Sequence, residues 1–211
     1  MIQTILFDFD GTLFDTGEGI LRSVQYALEG FGIHETDTAR LRKFVGPPLF
    51  DSFSELYAMT PEQAQAAVAR YRERYLPVGI YECTLYPGIP ELLNKLSHEG
   101  VRLAVVSNKP DEAVRALTER YFPGVFPVAI GNRDGWATKP APDSVYEAMR
   151  LLGARRESTV YVGDSDVDVD TARNAGLDSV IVTWGFRDED FLRAHGAQHL
   201  AHNADELYEM L

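Results

Sequence analysis

The feature that most constrains the fold of this chain is a repeated alternation of two patterns. Short apolar runs of strand length, at Ile2–Phe7, Val101–Val106, Phe126–Ile130, Thr159–Val162 and Ser179–Val182, are separated by stretches of helical periodicity. The runs are rich in Val, Ile and Phe and are bounded by Gly, Asp, Asn or Pro, which marks them as strands. Apolar runs without polar alternation belong to strands covered on both faces. Ile89–His98, Glu112–Tyr121 and Ser144–Leu152 read as amphipathic helices between them. Strand and helix in alternation predict an α/β fold built on a parallel sheet, which binds ligands beyond the C-terminal ends of its strands.

The alternation lapses once. From Asp15 to Tyr81 the pattern is helical only, with segments at Ile20–Gly30, Leu49–Tyr57 and Thr60–Tyr75. Thr60-Pro61-Glu62-Gln63 is a strong helix start, with Thr as cap, Pro at the first position and Gln three residues after the cap. We therefore expect a small all-helical domain at 15–81, inserted after the first strand, with 1–14 and 82–211 forming the α/β core.

Bulk properties narrow the function. A length of 211 residues with 45% hydrophobic content suits a core domain carrying a smaller one. A formal net charge of -12 opposes binding to nucleic acid or to an anionic membrane surface. An anionic substrate would then need positive charge concentrated locally, by a metal or a few placed Lys and Arg. Cys83 is the sole cysteine, so no intrachain disulfide and no cysteine-based zinc site can form. No basic stretch or cleavage site precedes the opening apolar residues, and no apolar run approaches the roughly 20 residues of a membrane helix. A cytoplasmic protein is expected.

Four segments at strand ends carry the candidate chemistry. Asp8 and Asp10, in Phe7-Asp8-Phe9-Asp10-Gly11-Thr12, leave the first strand two residues apart and project to one side. Carboxylates held that close repel unless a cation or a proton intervenes, and Mg²⁺ is a fitting cation. Ser107-Asn108-Lys109 offers a hydroxyl and amide donors at a helix start, which suit a phosphate. Lys139-Pro140 supplies a positive charge pinned between a loop and a helix. Asp164 and Asp168, in Gly163-Asp164-Ser165-Asp166-Val167-Asp168, can share one face of a helical turn. Each has an ordinary alternative: an Asx turn, a helix cap, a solvated lysine, a dipole-favoured acidic helix start. Their placement at one edge of one sheet favours a shared role, the clamping of a phosphoryl group.

These segments, in this order and spacing, resemble the four motifs of the haloacid dehalogenase superfamily. The helical insert resembles that family's C1-type cap, and Lys43-Phe44-Val45-Gly46-Pro47-Pro48-Leu49 within it resembles phosphoglycolate phosphatases and related pyrophosphate- and nucleotide-cleaving members. The resemblance implies a Rossmann-like core and a phosphatase acting on a small phosphorylated metabolite. It implies that Asp8 is the nucleophile and that Asp10 serves as acid and then base. Mg²⁺ would be held by Asp8, the Asp10 carbonyl and Asp164, with Asp168 acting from behind or through water. Ser107, Asn108 and Thr12 would contact substrate, and Lys139 would neutralise charge. The presence of Asp10 argues against dehalogenation. A phosphomutase, a pyrophosphatase or a 5'-nucleotidase remain as alternatives, as do Schiff-base chemistry at Lys43 and a non-catalytic binding module. Arg40, Arg42 and Lys43 precede Gly46-Pro47-Pro48 in an otherwise acidic chain. Arg42 and Lys43 are expected either to meet a carboxylate or second phosphate on the substrate or to form a solvated helix face. A monomer or homodimer is expected.

Overall fold

The computed structural model describes residues 2–211. The first strand β1 (Thr4–Phe7) is followed by β2 (Phe14–Asp15) and the helices α1 (Gly17–Glu29), α2 (Thr38–Arg42), α3 (Leu49–Tyr57) and α4 (Pro61–Tyr75). The chain continues through β3 (Thr84–Leu85), α5 (Ile89–His98), β4 (Arg102–Pro110), α6 (Asp111–Tyr121), β5 (Val128–Asn132) and α7 (Asp143–Leu152). It ends with β6 (Thr159–Gly163), α8 (Asp166–Ala175), β7 (Asp178–Val182), α9 (Glu189–Ala194), β8 (Leu200–Ala201) and α10 (Ala204–Met210). Two compact units result: Thr16–Thr84, and the rest of the chain up to Asp15 and from Leu85 to Leu211. Among the described residues, no helix is long and apolar enough to cross a membrane.

The larger unit is the expected α/β fold. Its sheet has the order β5-β4-β1-β6-β7-β8, and its strand pairs are parallel. β1 is central, and all four of its residues are buried, as a strand covered on both faces requires. On one face, Leu6, Ala104, Val106, Ile130 and Tyr161 pack with Val145, Ala148, Ala172 and Ala175, so α7 and α8 cover it. α5 buries Ile89, Leu92, Leu93 and Leu96, the i, i+3, i+4, i+7 stripe of a core-facing helix. Burial of each such side chain is worth roughly 1.5–3 kcal/mol before entropy is counted.

The smaller unit is helical throughout. α4 packs on α1 and α3, burying Ala64, Ala67, Tyr71 and Tyr75. Arg74 grips Glu82 with two bonds of 2.8 and 2.9 Å and also donates to Ser23 on α1. The Gly19 amide donates to the Glu82 carbonyl at 3.2 Å. These ties place Glu82 with the helices, so the boundary falls at Thr84, three residues beyond the expected 81. The start of α4 is built as its sequence implies. The Thr60 hydroxyl accepts from the Gln63 amide, and the Gln63 side chain accepts from the Thr60 amide.

The main departures lie in short elements. β8, β2 and β3 span two residues each, too few for a periodic pattern to show. α2 has five residues and starts at Asp37, whose side chain accepts from the Ala39 and Arg40 amides. β4 also runs past the expected end at Val106 to Pro110, with a register irregularity against β5 between those residues.

Thr60→Ala should remove one bond of the reciprocal cap and lower stability by about 1 kcal/mol. Urea unfolding with an unchanged m-value would measure the loss, and an unaltered midpoint would count against this account of the helix start.

Candidate active site

The sheet order brings three of the four sequence segments to neighbouring strand ends. Phe7 is paired with Val105 on β4 and with Val162 on β6, so Asp8 emerges beside both strands. Its amide donates to the Val162 carbonyl at 2.8 Å. Lys139, which follows β5, reaches the same place with its ammonium. Asp8 is 7% exposed, Lys139 6%, Asp164 2% and Asp168 0%, so the charged groups meet out of water.

Lys139 is the hub. Its Nζ donates to Asp8 Oδ1 at 2.7 Å, to Asp168 Oδ1 at 2.8 Å and to the Tyr161 hydroxyl at 2.9 Å. All three ammonium protons are thereby used, and the side chain has no slack. Asp168 is equally committed. Its Oδ1 also accepts from Tyr161, and its Oδ2 accepts from the Asp164 and Ser165 amides and the Ser165 hydroxyl. The bond from the Ser165 amide is one half of the capping box that opens α8. Gly163 leaves room for this, since a Cβ there would strike the Asp168 side chain.

Asn108 and Thr12, expected to contact substrate, also make bonds within the protein. Asn108 receives the Lys139 amide on Oδ1 at 2.8 Å and donates from Nδ2 to the Lys139 carbonyl at 3.1 Å. Its amide group fixes the Lys139 backbone. Thr12 is fully enclosed, and its hydroxyl donates to Asp164 Oδ1 at 3.5 Å. Ser107 is buried on β4 rather than at a helix start, and its Oγ accepts from the Lys109 amide at 3.3 Å. The placements of Ser107 and Asn108 share a cause: β4 continues past Val106, so its last residues follow strand geometry instead of capping α6.

The charges show what the site lacks. Burial pushes the Asp8 carboxyl up to about 7, with Lys139 opposing and Asp168 adding to the rise. Burial also holds Asp164 well above the usual carboxylate range, reinforced by Asp168 and Asp8. Burial works against ionised Asp168 too, but Lys139 outweighs it and the group is held low. For Lys139, burial opposes the charge while Asp168 and Asp8 keep the ammonium well above its ordinary value. One lysine thus serves several carboxylates, and its charge on Asp164 does not offset the effect of burial there. One oxygen from each of Asp8, Asp164 and Asp168 lies within 4.8 Å of the others. An all-oxygen, acidic donor set of this kind fits a hard divalent cation. Asp10 stands outside that trio, its Oδ1 bonded to Lys109 Nζ at 2.8 Å.

Comparison with known proteins bears on this geometry. The family model for haloacid dehalogenase-like hydrolases matches residues 5–182. The chain belongs to the haloacid dehalogenase-like hydrolase family. It is 38% identical over 209 residues to a 5'-nucleotidase of Pseudomonas aeruginosa, covering 98% of this chain and 94% of that one. It is 30% identical over 194 residues to a phosphoglycolate phosphatase of Aquifex aeolicus, covering 88% and 86%. A predicted phosphatase of Clostridium acetobutylicum superposes with a TM-score of 0.91 at 35% identity, covering 100% and 98%. The family and the fold expected from the four sequence segments are the ones found.

In this haloacid dehalogenase-like hydrolase, a fifth segment also seats the acidic cluster. The Phe186 amide donates to Asp164 Oδ2 at 2.8 Å, and Trp184 Nε1 donates to the Thr12 carbonyl at 3.1 Å. Gly185 and Gly11, the latter at φ 84°, lie so close that a Cβ on either would overlap Asp164. Trp184-Gly185-Phe186-Arg187, after the fifth apolar run, resembles a recurrent segment of the family, but the sequence alone gives it no role. Tyr161 and Lys109 were given no role from the sequence: Tyr161 sits within an apolar strand pattern and Lys109 within a motif read for its hydroxyl and amide donors. Arg42 and Lys43 lie at the end of α2 in the helical unit, both exposed. Arg40 is engaged there with Glu35, the Leu56 carbonyl and the face of Tyr57. Trp136 is half-exposed under the Arg133 guanidinium.

The raised Asp8 carboxyl has a consequence for stability. A carboxyl that binds its proton more tightly when folded favours folding at low pH. That advantage fades as pH rises from the ordinary 3.8 through about 7. In a chelator, the wild-type melting temperature should therefore fall over this range relative to Asp8→Asn. Parallel pH profiles for the two proteins would contradict the account.

Proposed function

We propose that this hydrolase is a magnesium-dependent phosphatase that cleaves a small phosphorylated metabolite through an aspartyl phosphate on Asp8. The observation that carries the proposal is the Lys139 ammonium, 2.7 Å from Asp8 Oδ1 among buried carboxylates. An anionic nucleophile approaches a phosphoryl group only if fixed positive charge offsets the repulsion. Lys139 supplies part of that charge, and Asn108 fixes where it sits.

In the proposed reaction, an Asp8 oxygen bonds to phosphorus and the ester oxygen departs, taking a proton from Asp10. Asp10, now a carboxylate, removes a proton from water as the water oxygen attacks the acyl phosphate. Inorganic phosphate leaves and Asp8 is restored. Acid and base assistance of this kind contributes on the order of 10² to 10⁴ in rate. Mg²⁺ held by Asp8, Asp164 and the Asp10 carbonyl would supply Lewis-acid stabilisation of phosphoryl charge. Asp168 acts indirectly in this scheme, since both its oxygens are occupied by Lys139, Tyr161, Ser165 and the Asp164 amide. Ser107, Asn108 and Thr12 are the candidate substrate contacts in this scheme. The helical unit serves as a cap, with Arg42 and Lys43 as anion-reading residues.

The similar proteins named a phosphoglycolate phosphatase and a 5'-nucleotidase support phosphoric monoesters as the substrate class. The nucleotidase likeness, at 38% identity over nearly the whole of both chains, favours a nucleoside monophosphate as the second reading beside phosphoglycolate.

Hydrolysis of p-nitrophenyl phosphate should require Mg²⁺, and Asp8→Asn should fold normally while losing turnover by at least about 10³-fold. An active Asp8→Asn would reassign the nucleophile. A phosphate-release screen over metabolites, ranked by kcat/KM, would identify the substrate. On that substrate, Arg42→Ala and Lys43→Ala should raise KM while sparing p-nitrophenyl phosphate, and equal kinetics on both would return these residues to the solvated surface.

A further inference from the structure

The Lys109 side chain is 1% exposed, and its Nζ lies 2.8 Å from Asp10 Oδ1. It sits 5.6 Å from the centre of the Phe9 ring. A lysine is almost never buried this fully unless it is paired, and the partner here is Asp10. Desolvating an ammonium is costly, and apolar replacement of buried ion pairs is often neutral or stabilising. Stability alone therefore explains Lys109 poorly. Its partner is more informative. Asp10 is the one carboxylate of the site that stands outside the Asp8–Asp164–Asp168 trio, and its side chain retains 21% exposure. It lies next to Gly11, in a turn closed by bonds from the Gly11 amide to the Phe14 carbonyl and from the Leu13 and Phe14 amides to the Phe9 carbonyl. The Asp10 carboxylate takes a charge-assisted hydrogen bond from Lys109. The buried lysine is thus what selects a single orientation for an otherwise rotatable group.

We propose that Lys109 is a positioning residue for the proton-transferring carboxylate, holding Asp10 turned away from the acidic trio and towards the departing oxygen of the substrate. This rests on the phosphatase reading above, in which Asp10 protonates that oxygen. Two buried lysines then divide the labour on adjacent carboxylates, Lys139 fixing the nucleophile and Lys109 the acid. The β4 extension explains how: Asn108 turns to the Lys139 backbone while Lys109 turns to Asp10.

The leaving group provides the test. A p-nitrophenolate departs with little need of a proton, whereas an alkoxide needs one. kcat/KM covers the steps up to and including that departure, so it isolates the role of Asp10 as acid from its later role as base. For Lys109→Met, kcat/KM should fall by at least about 10-fold on an alkyl phosphate but by less than about 3-fold on p-nitrophenyl phosphate. Lys109→Gln, which keeps a hydrogen-bond donor, should show the same bias to a smaller extent, and it carries the test should the methionine variant fail to fold. In an Asp10→Asn background, Lys109→Met should cause no further loss on the alkyl ester, because the two changes act through one group. Equal losses on both esters, or an added loss in the double variant, would overturn the positioning role while leaving the phosphatase intact. A wild-type protein inactive on both esters would instead overturn the phosphatase reading, and this inference with it.

Discussion

The site depends on one ammonium. Lys139 donates to Asp8, Asp168 and Tyr161 at distances of 2.7–2.9 Å, and its side chain is buried. Without it, three buried carboxylates would face one another at separations that favour protonation over charge. With it, Asp168 is held ionised and becomes a rigid acceptor that opens α8 and orders the Asp164 backbone. The lysine and the helix start are therefore parts of one structure: removing either would free the other.

The construction around Lys139 shows how little of an active site is made of reacting groups. Asn108 holds the Lys139 backbone from both sides. Gly163, Gly11 and Gly185 are bare where a Cβ would collide with Asp168 or Asp164. Trp184 ties the loop after β7 to the loop after β1, and Phe186 ties it to Asp164 after β6. Sites held this way keep their geometry because the supporting side chains have no alternative positions. The cost is electrostatic: Asp8 and Asp164 are poised above their ordinary titration range, a condition that a bound divalent cation would relieve.

Much of this was legible in the sequence. The apolar runs became β1, β4, β5, β6 and β7, and the long helices fell within a few residues of their patterns. Strand and helix periodicity survive because burial of a face is a property of many residues at once. Asp8, Lys139, Asp164 and Asp168 stood out because charge at the end of an apolar strand is chemically conspicuous. Asn108 and Thr12 were equally visible, yet their partners within the protein were not, since an amide or hydroxyl has many possible partners and the sequence does not say which is nearest. Tyr161 and Lys109 were hidden for the opposite reason, each reading as an unremarkable member of its strand or motif.

The sequence by itself determined the order of strands and helices, the helical insertion, the family and the inventory of charged groups. The tertiary structure decided which of those groups touch. β1 lies between β4 and β6, and that arrangement sets Asp8 beside residues a hundred or more positions away, as in its bond to Lys139 with a separation of 131. The continuation of β4 to Pro110 turned Asn108 to Lys139 and Lys109 to Asp10. Local patterns record what each segment buries. Distances between segments arise only from packing the whole sheet, where a shift of one residue in register would exchange one partner for another.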